Sequence, residues 1–216
     1  MLFPKRCPSC SAVGAAPCDR CGRTLGRVTS AISVPGIVSC RPAFVYDEGV
    51  RTLLLALKYR NRRDALAYLA SQIAAVVDVE ADVITWVPTT AARRRTRGFD
   101  QAELLARAVG RRTGVPVRSL LRRVDGQPQT GRDAQARHLG PQFTLRRRRA
   151  VGDSVVLIDD IGTTGATLQA AALVLAAAGW PEIHARTVAW TPRRSSFPAK
   201  FEPIGPEGGP PKVTSL

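Results

Sequence analysis

The sequence lacks the features of a membrane protein and of a secreted protein. None of its apolar stretches approaches the roughly 18 residues that a membrane-spanning helix requires. Met1 to Arg6 lead directly into Cys7 and contain no apolar core of a signal peptide. These two absences favour a cytoplasmic protein without a membrane span.

Acidic residues and lysine are also scarce. Asp and Glu together number 17, against 32 Lys and Arg, so the formal net charge is +15. All but four of the basic residues are arginine, and they cluster at 93–97, 111–112, 122–123 and 146–149. Such clusters indicate a surface for polyanions, nucleic acid among them, because neutralised phosphates release counterions. An arginine-rich coding bias on solvated surfaces is the alternative explanation.

The order of the predicted elements indicates the fold class. Strand patterns occur at 83–87, 153–160 and 183–190, and helical patterns occur at 50–58, 64–77, 166–178 and from Asp100 onward. This alternation predicts an α/β fold with a largely parallel sheet flanked by helices. The polar stretch 93–98 is predicted to be a loop, and 119–150 is long enough to be a functional loop or lid.

Composition divides the chain into three predicted parts. Residues 1–40 contain paired cysteines and a linker, 41–190 contain the alternating elements, and 191–216 are rich in proline and glycine. A length of 216 residues suits one medium-sized domain with a small appendage. We expect the last part to be disordered, because its apolar content is too low to form a core.

The most informative stretch joins a buried strand to a helix at residues 155–168. Its apolar run delivers an aspartate pair, Asp159 and Asp160, to the carboxyl edge of the sheet, where ligands bind in open α/β folds. A turn rich in glycine and threonine follows, and its N–H groups and hydroxyls suit a phosphomonoester at a helix N-terminus. This glycine–threonine turn consists of Gly162, Thr163, Thr164, Gly165, Ala166 and Thr167.

The aspartate pair suits the vicinal hydroxyls of a sugar, either directly or through Mg²⁺, which prefers oxygen ligands. A nucleoside triphosphatase is a poor alternative, because no lysine follows a glycine and the Gly-Lys-Ser/Thr step is missing. A structural acidic turn without a ligand is the other alternative. Two adjacent carboxylates with no partner repel each other, which argues against it.

Four of the five cysteines follow the spacing Cys-x₂-Cys-x₇-Cys-x₂-Cys. They are Cys7, Cys10, Cys18 and Cys21. The spacing predicts a closed tetrahedral zinc site that stabilises a segment too small to bury a core of its own. Disulfides and a redox dithiol are the alternatives. Cys40 is predicted to be a bystander, although it could lie near the metal.

Taken together, these motifs resemble those of a known superfamily and of one family within it. The stretch 155–168 is similar to the phosphoribosyl-pyrophosphate loop of type I phosphoribosyltransferases. The wider chain resembles the ComF family, which is associated with DNA uptake in competent bacteria. The residues that carry this second resemblance are the cysteine pairs, Lys58-Tyr59, Val87-Pro88, Arg97-Gly98-Phe99-Asp100-Gln101-Ala102 and the segment 129–143. The resemblance implies a type I phosphoribosyltransferase-like sheet with a small N-terminal zinc-ribbon-like module.

The resemblance also implies roles for particular residues. The aspartate pair would hold the ribose 2- and 3-hydroxyls of phosphoribosyl pyrophosphate or a related ribose 5-phosphate, and the glycine–threonine turn would hold the 5-phosphate. Thr89 and Thr90 would lie near the pyrophosphate, and Arg97 and Lys58 are further candidates for anion contacts.

Two functions follow from the resemblance. The first is Mg²⁺-dependent displacement of pyrophosphate at ribose C1, or binding of the sugar phosphate without turnover; no residue identifies the acceptor. The second is a non-catalytic accessory protein of competence that binds single-stranded DNA through its arginine clusters. A competence helicase or translocase is an implied partner, and the sequence does not indicate an oligomeric state.

Overall fold

The computed structural model describes residues 5–59, 64–124, 141–146 and 152–191. In chain order, the elements are α1 (Asp19–Arg23), β1 (Ser39–Val45), α2 (Glu48–Tyr59), α3 (Asp64–Ala74), β2 (Val83–Trp86), α4 (Ala91–Arg97), α5 (Gln101–Thr113), β3 (Leu121–Val124), β4 (Gln142–Leu145), β5 (Ser154–Gly162), α6 (Ala166–Ala177) and β6 (Glu182–Trp190). The predicted strands at 83–87, 153–160 and 183–190 and the predicted helices are therefore confirmed, with ends shifted by a few residues.

Four parallel strands form the central sheet in the order β1-β6-β5-β2. The run from Val155 to Ile158 on β5 is fully buried, because other elements cover both faces of the parallel sheet. The last residue of β2, Trp86, pairs with Ile158, whereas β5 continues to Gly162 alongside β6. The carboxyl end of β5 therefore extends beyond its neighbour β2. The predicted α/β class with a parallel sheet flanked by helices is confirmed.

Two hydrophobic clusters cover the two faces of the sheet. On one face, α2, α3 and α5 pack against Val156 and Ile158 of β5. On the other, α6 and strands β3 and β4 pack against Val155 and Leu157. Because successive strand residues point to opposite faces, one short apolar run supplies both clusters.

The prediction of a loop at 93–98 is wrong, because residues 91–97 form helix α4. Thr90 caps its start by accepting a hydrogen bond from the backbone N–H of Arg93 at 3.2 Å. Gly98 ends it with a φ of 77°, a left-handed conformation that glycine adopts without strain. Because the composition of the stretch is polar, the sequence pattern did not reveal the threonine that caps the helix or the glycine that ends it.

Several predictions concern residues outside the described ranges. Strands β3 and β4 pair in antiparallel fashion at the two ends of the predicted 119–150 loop, and 125–140 lies between them outside the described residues. The predicted disordered tail also lies outside them, apart from Thr191. The three-part division stays a prediction, and its limit at residues 40/41 falls inside β1. Over the described part of the chain, no helix has the length and apolar character needed to cross a membrane.

Candidate functional site

The aspartate pair lies where β5 passes the end of β2. Strand alternation turns Asp160 toward the face that α2 covers, the same face as Val156 and Ile158. There the Lys58 ammonium, in the last turn of α2, lies 2.6 Å from Asp160 Oδ2. The other oxygen of this carboxylate accepts a hydrogen bond from the backbone N–H of Ile161 at 2.8 Å. The Asp160 carboxylate is therefore held by a strand on one side and a helix on the other.

Asp159 is more deeply buried, with 9% of its surface exposed. Its Oδ1 accepts a hydrogen bond from the backbone N–H of Asp160 at 2.7 Å. Burial, followed by the negative charge of Asp160, raises the pKa of Asp159 well above its usual range, although Lys58 acts in the opposite direction. Asp159 is thus held in an environment that disfavours its ionised form.

The glycine–threonine turn connects β5 to α6 and depends on two glycines. A Cβ atom at Gly162 would overlap the indole ring of Trp190 on the neighbouring strand. Gly165 has a φ of +80°, and a Cβ there would lie 3.1 Å from a methyl group of Val34. Both glycines are therefore required by close packing or by backbone conformation, which lets α6 begin directly behind the strand.

The donors of this turn face solvent at the start of a helix of 12 residues. Thr163 and Thr164 are exposed and Thr167 is half-buried. The Thr164 hydroxyl oxygen accepts a hydrogen bond from the backbone N–H of Ala166 at 3.3 Å. Helix N-termini attract anions because their first N–H groups lack helical partners. The turn and the aspartate pair are thus brought together by continuous chain, as the motif predicts.

A second connection lies beside β5 after β2 ends. The backbone N–H of Val87 donates to the carbonyl of Ile158 at 2.9 Å, directly before the aspartate pair. The backbone N–H of Thr89 then donates to Asp100 Oδ2 at 2.9 Å, while Asp100 Oδ1 caps α5. Thr89 and Thr90 therefore lie in a connection tied to the N-terminus of α5. Arg97 lies in the last turn of α4, further from this connection along the chain.

Gln101, the first residue of α5, was not among the predicted site residues. Its side chain is 4% exposed, and within the described ranges its Nε2 and Oε1 atoms have no hydrogen-bond partner. A buried polar group without a partner costs free energy, so it is uncommon in a structural position. The available signal was its place in the Arg-Gly-Phe-Asp-Gln motif.

The four predicted cysteine ligands form one cluster. The sulfur atoms of Cys7, Cys10, Cys18 and Cys21 all lie within 4.8 Å of one another. The sulfur atoms of Cys10 and Cys18 lie 3.6 Å apart. Four thiolates about 2.3 Å from a tetrahedral zinc ion are separated by similar distances. The cluster could therefore hold a structural zinc ion.

The thiol pKa values within the cluster differ in direction. Burial and the neighbouring cysteines raise the pKa of Cys21 to about 12. Burial raises the pKa of Cys7, but backbone N–H donors of Cys18, Cys10 and Ser9 outweigh it and lower the pKa to about 6. Cys40 lies elsewhere, in β1 and fully buried beneath α6. Burial raises the pKa of Cys40 to about 12. Cys40 is a core residue and no member of the described cluster.

The cysteine module is attached to the domain by packing. Leu25 lies in the cluster of α2 and α3, against Gly49, where a Cβ would come within 2.7 Å of its methyl group. The Tyr68 hydroxyl on α3 donates to the carbonyl of Gly22 at 3.4 Å. The module is therefore fixed to the face of the sheet that carries Lys58.

The arginine clusters have mixed surroundings. Arg94 and Arg107 both contact Glu103, at 3.4 and 2.9 Å, and Arg107 also lies 6.0 Å from the ring centroid of Trp86. Arg93 and Arg95 on α4 are exposed. Arg94 and Arg107 therefore contact other residues although their side chains are 54% and 55% exposed, so these arginines lie largely at the surface.

The fold and the site define a class: a parallel α/β protein whose central strand ends in an aspartate pair and a glycine–threonine turn. A particular relative can be named. Competence protein ComFC of Bacillus subtilis (strain 168) is 29% identical to this chain over 140 residues, which cover 62% of this chain and 57% of the relative. The predicted resemblance to ComF proteins is confirmed, and the match spans little more than half the length of the relative. No family model matches the chain.

Similar solved structures include two proteins of different size. One is glutamine phosphoribosylpyrophosphate amidotransferase from B. subtilis complexed with ADP and GMP; it is 22% identical with a TM-score of 0.44, over 62% of this chain and 30% of that chain. The other is a hypothetical protein from Neisseria gonorrhoeae with bound ppGpp, 10% identical with a TM-score of 0.40, over 64% of this chain and 75% of that chain.

Proposed function

We propose that this chain is a phosphoribosyltransferase-like protein that binds phosphoribosyl pyrophosphate, or a related ribose 5-phosphate, at the carboxyl end of β5. The observation that carries the proposal is the aspartate pair followed directly by solvent-facing donors at the start of α6. Carboxylates accept hydrogen bonds from sugar hydroxyls, and the helix N-terminus attracts a phosphate. The similarity to ComFC supports this assignment.

In this proposal, different residues bind different parts of the ligand. Asp159 and Asp160 accept hydrogen bonds from the ribose 2- and 3-hydroxyls. The backbone and hydroxyls of the glycine–threonine turn bind the 5-phosphate. Thr89, Thr90 and Arg97 lie toward the pyrophosphate, in the connection tied to the end of β2 and in helix α4. The aspartate pair would hold Mg²⁺, directly or through water, and the ion would supply neutralisation of the pyrophosphate charge.

If the protein turns over its ligand, the bond between ribose C1 and the pyrophosphate oxygen breaks and a bond from C1 to an acceptor forms. The contribution of this chain is positioning: the strand end and the turn hold the ribose by its hydroxyls and its 5-phosphate, which leaves C1 accessible. The acceptor is to be identified by measuring pyrophosphate release across a panel of nucleobases. Binding without turnover is equally compatible with the site.

We propose a cytoplasmic role in DNA uptake, with a structural zinc ion in the cysteine cluster and a competence helicase or translocase as partner. The second candidate function is binding of single-stranded DNA, which the exposed Arg93 and Arg95 favour. Its test is fluorescence anisotropy with a labelled oligonucleotide across a salt series. Arg93→Ser with Arg95→Ser should weaken binding and leave the sugar-phosphate affinity unchanged. Equal affinity for heparin would show that the interaction with single-stranded DNA is a nonspecific attraction between opposite charges.

The sugar-phosphate site is tested by titration calorimetry of the full chain with phosphoribosyl pyrophosphate and Mg²⁺. We expect saturable heat for the native chain and none for Asp159→Asn with Asp160→Asn. Asp153→Asn is the matched control, because this exposed carboxylate lies directly before the opposite end of β5. Absence of heat with well-folded native protein contradicts the proposal, and so does equal loss in the control.

A further inference from the structure

Lys58 lies at the aspartate pair, with its ammonium 2.6 Å from Asp160 Oδ2. The two side chains are 16% and 22% exposed, so the ion pair is largely removed from solvent. Helix α2 positions the ammonium firmly, because Leu53, Leu54 and Leu57 of that helix are buried against the sheet. Among the ion pairs of the described residues, this contact is the one that brings a cation to the pair.

The contact places Lys58 where a directly coordinated metal ion would bind. An inner-sphere Mg²⁺ lies about 2.1 Å from its carboxylate oxygen. The ammonium is 2.6 Å from Oδ2, and the backbone N–H of Ile161 already occupies Oδ1. A metal ion at Asp160 would have to displace the ammonium or approach a like charge at short range, in surroundings where solvent screens poorly.

The surroundings of Asp159 do not compensate for the unfavourable effect of Lys58 on metal binding. Asp159 is nearly buried, and its Oδ1 accepts a hydrogen bond from the backbone of Asp160. The Lys58 ammonium also offsets one negative charge of the pair. The pair therefore offers a free divalent cation less net negative charge than two carboxylates alone would.

We infer that Lys58 is a specificity-determining residue that excludes free divalent metal from the aspartate pair. The site then accepts Mg²⁺ as part of a metal–pyrophosphate ligand, while the pair remains available to the ribose hydroxyls. This inference rests on the proposed function for the identity of the ligand. The exclusion of free metal concerns the ion pair alone and can be measured without any sugar phosphate.

The alternative is that Lys58 serves stability only and anchors the end of α2 to the sheet. Removing one partner of a largely buried ion pair destabilises a protein in either case. Loss of stability therefore does not distinguish the two roles. A change in the affinity for free metal does, because an anchoring lysine would leave that affinity unaltered.

The test uses Mn²⁺ as the probe, followed by the electron paramagnetic resonance signal of the unbound ion. The chain is first loaded with zinc so that the cysteine cluster is filled, and Mn²⁺ prefers oxygen ligands. We compare the native chain with Lys58→Met, which removes the charge, and with Lys58→Arg, which keeps it. Lys5→Met is the matched control, because Lys5 is exposed in the cysteine module.

We expect Lys58→Met to bind free Mn²⁺ at least tenfold more tightly than the native chain, and Lys58→Arg and Lys5→Met to match the native chain. Adding Asp160→Asn to Lys58→Met should abolish the gain. Unchanged Mn²⁺ affinity in folded Lys58→Met overturns the inference. Should that variant fail to fold, the native chain still decides: tight binding of free Mn²⁺ that Asp160→Asn removes would equally overturn it.

The outcomes separate the inference from the proposed function. If the native chain binds phosphoribosyl pyrophosphate while Lys58→Met gains no free Mn²⁺, the function stands and the role of Lys58 falls. If the native chain binds no sugar phosphate but Lys58→Met gains Mn²⁺, the proposed ligand is wrong, whereas the exclusion of free metal by Lys58 is supported.

Discussion

Two charged residues lie buried on adjacent strands of the same sheet, with opposite surroundings. Arg186 on β6 is fully buried and pairs in register with Ile158, next to Asp159 on β5. Its guanidinium donates to the carbonyls of Val76, Ser39 and Ala185, to the Ser39 hydroxyl, and to Asp78 Oδ1 at 2.9 Å. Asp159 instead receives a backbone hydrogen bond and faces a second carboxylate.

The difference in surroundings indicates the role of each buried charged residue. A buried charge is tolerated when hydrogen bonds and a counter-charge replace the water it loses, and Arg186 meets that condition fully. Asp159 meets it poorly, so its burial is unfavourable until something outside the chain supplies donors. We therefore regard Arg186 as part of the framework, whereas the surroundings of Asp159 are consistent with its place in the proposed binding site.

The largest expected effect is at Arg186. Arg186→Met should lower the free energy of unfolding by about 3 kcal/mol or more, because several buried acceptors lose their donor. The control is Arg41→Met, since Arg41 contacts the same Asp78 at 2.6 Å but has a side chain 48% exposed. That exposed contact should contribute less than about 1 kcal/mol. Urea unfolding measures both, and similar losses would contradict the framework role.

The next effect concerns the cysteine cluster, whose four sulfur atoms could hold a zinc ion. Removal of zinc by a chelator should lower the free energy of unfolding by about 2 kcal/mol, and added zinc should restore it. Cys18→Ser should abolish zinc binding in native mass spectrometry, while Ser9→Ala should retain one ion per chain. An identical Tm with and without chelator would show that the stability of the chain does not depend on a metal ion in the cluster.

Asp159→Asn should change stability in the opposite direction to Arg186→Met. The neutral amide removes the free-energy cost of burying an acidic group beside Asp160, so the free energy of unfolding should rise by about 1 kcal/mol at neutral pH. The increase in Tm caused by phosphoribosyl pyrophosphate should disappear at the same time. Differential scanning fluorimetry measures both, with Asp153→Asn as the control that changes neither. A destabilised Asp159→Asn variant would show that Asp159 is a framework residue after all.

The same residue predicts a pH dependence. Because burial and Asp160 raise the pKa of Asp159 in the folded state, the folded chain binds more protons than the unfolded chain. The Asp159 contribution to stability is therefore present at acidic pH and is lost as the pH rises through the raised pKa. Asp159→Asn should flatten this decline in urea unfolding measured across pH. A decline of the same slope in the variant would assign it to another group.

An effect no larger than that of Asp159→Asn is expected at Gln101, whose amide is buried without a partner among the described residues. Gln101→Met should raise the free energy of unfolding by about 1 kcal/mol, since it removes an unsatisfied polar group of similar size. Gln142→Met, on an exposed strand position, should change it by less than about 0.5 kcal/mol. Destabilisation by Gln101→Met would indicate an ordered water or another partner at the amide.

The sequence alone determined the local features of this protein. The buried run before Asp159, the turn after it and the helix beyond are contiguous, so their pattern predicts strand, turn and helix without knowledge of the rest of the fold. The cysteine cluster is equally local, and Asp100 caps α5 as its spacing to Glu103 predicts. Helix α4 was not predicted, because its four arginines suggested a polar loop and its capping residues were not recognised.

Only the tertiary structure decided which distant residues meet at these local features. Lys58 reaches Asp160, and Arg186 reaches Asp78, across about a hundred residues of chain. Gly162 is required because Trp190 on another strand fills the space of its side chain. Such contacts depend on strand order and helix packing, which a local pattern does not specify. The motif therefore predicted which residues form the candidate site, and the fold decided which cation lies beside them.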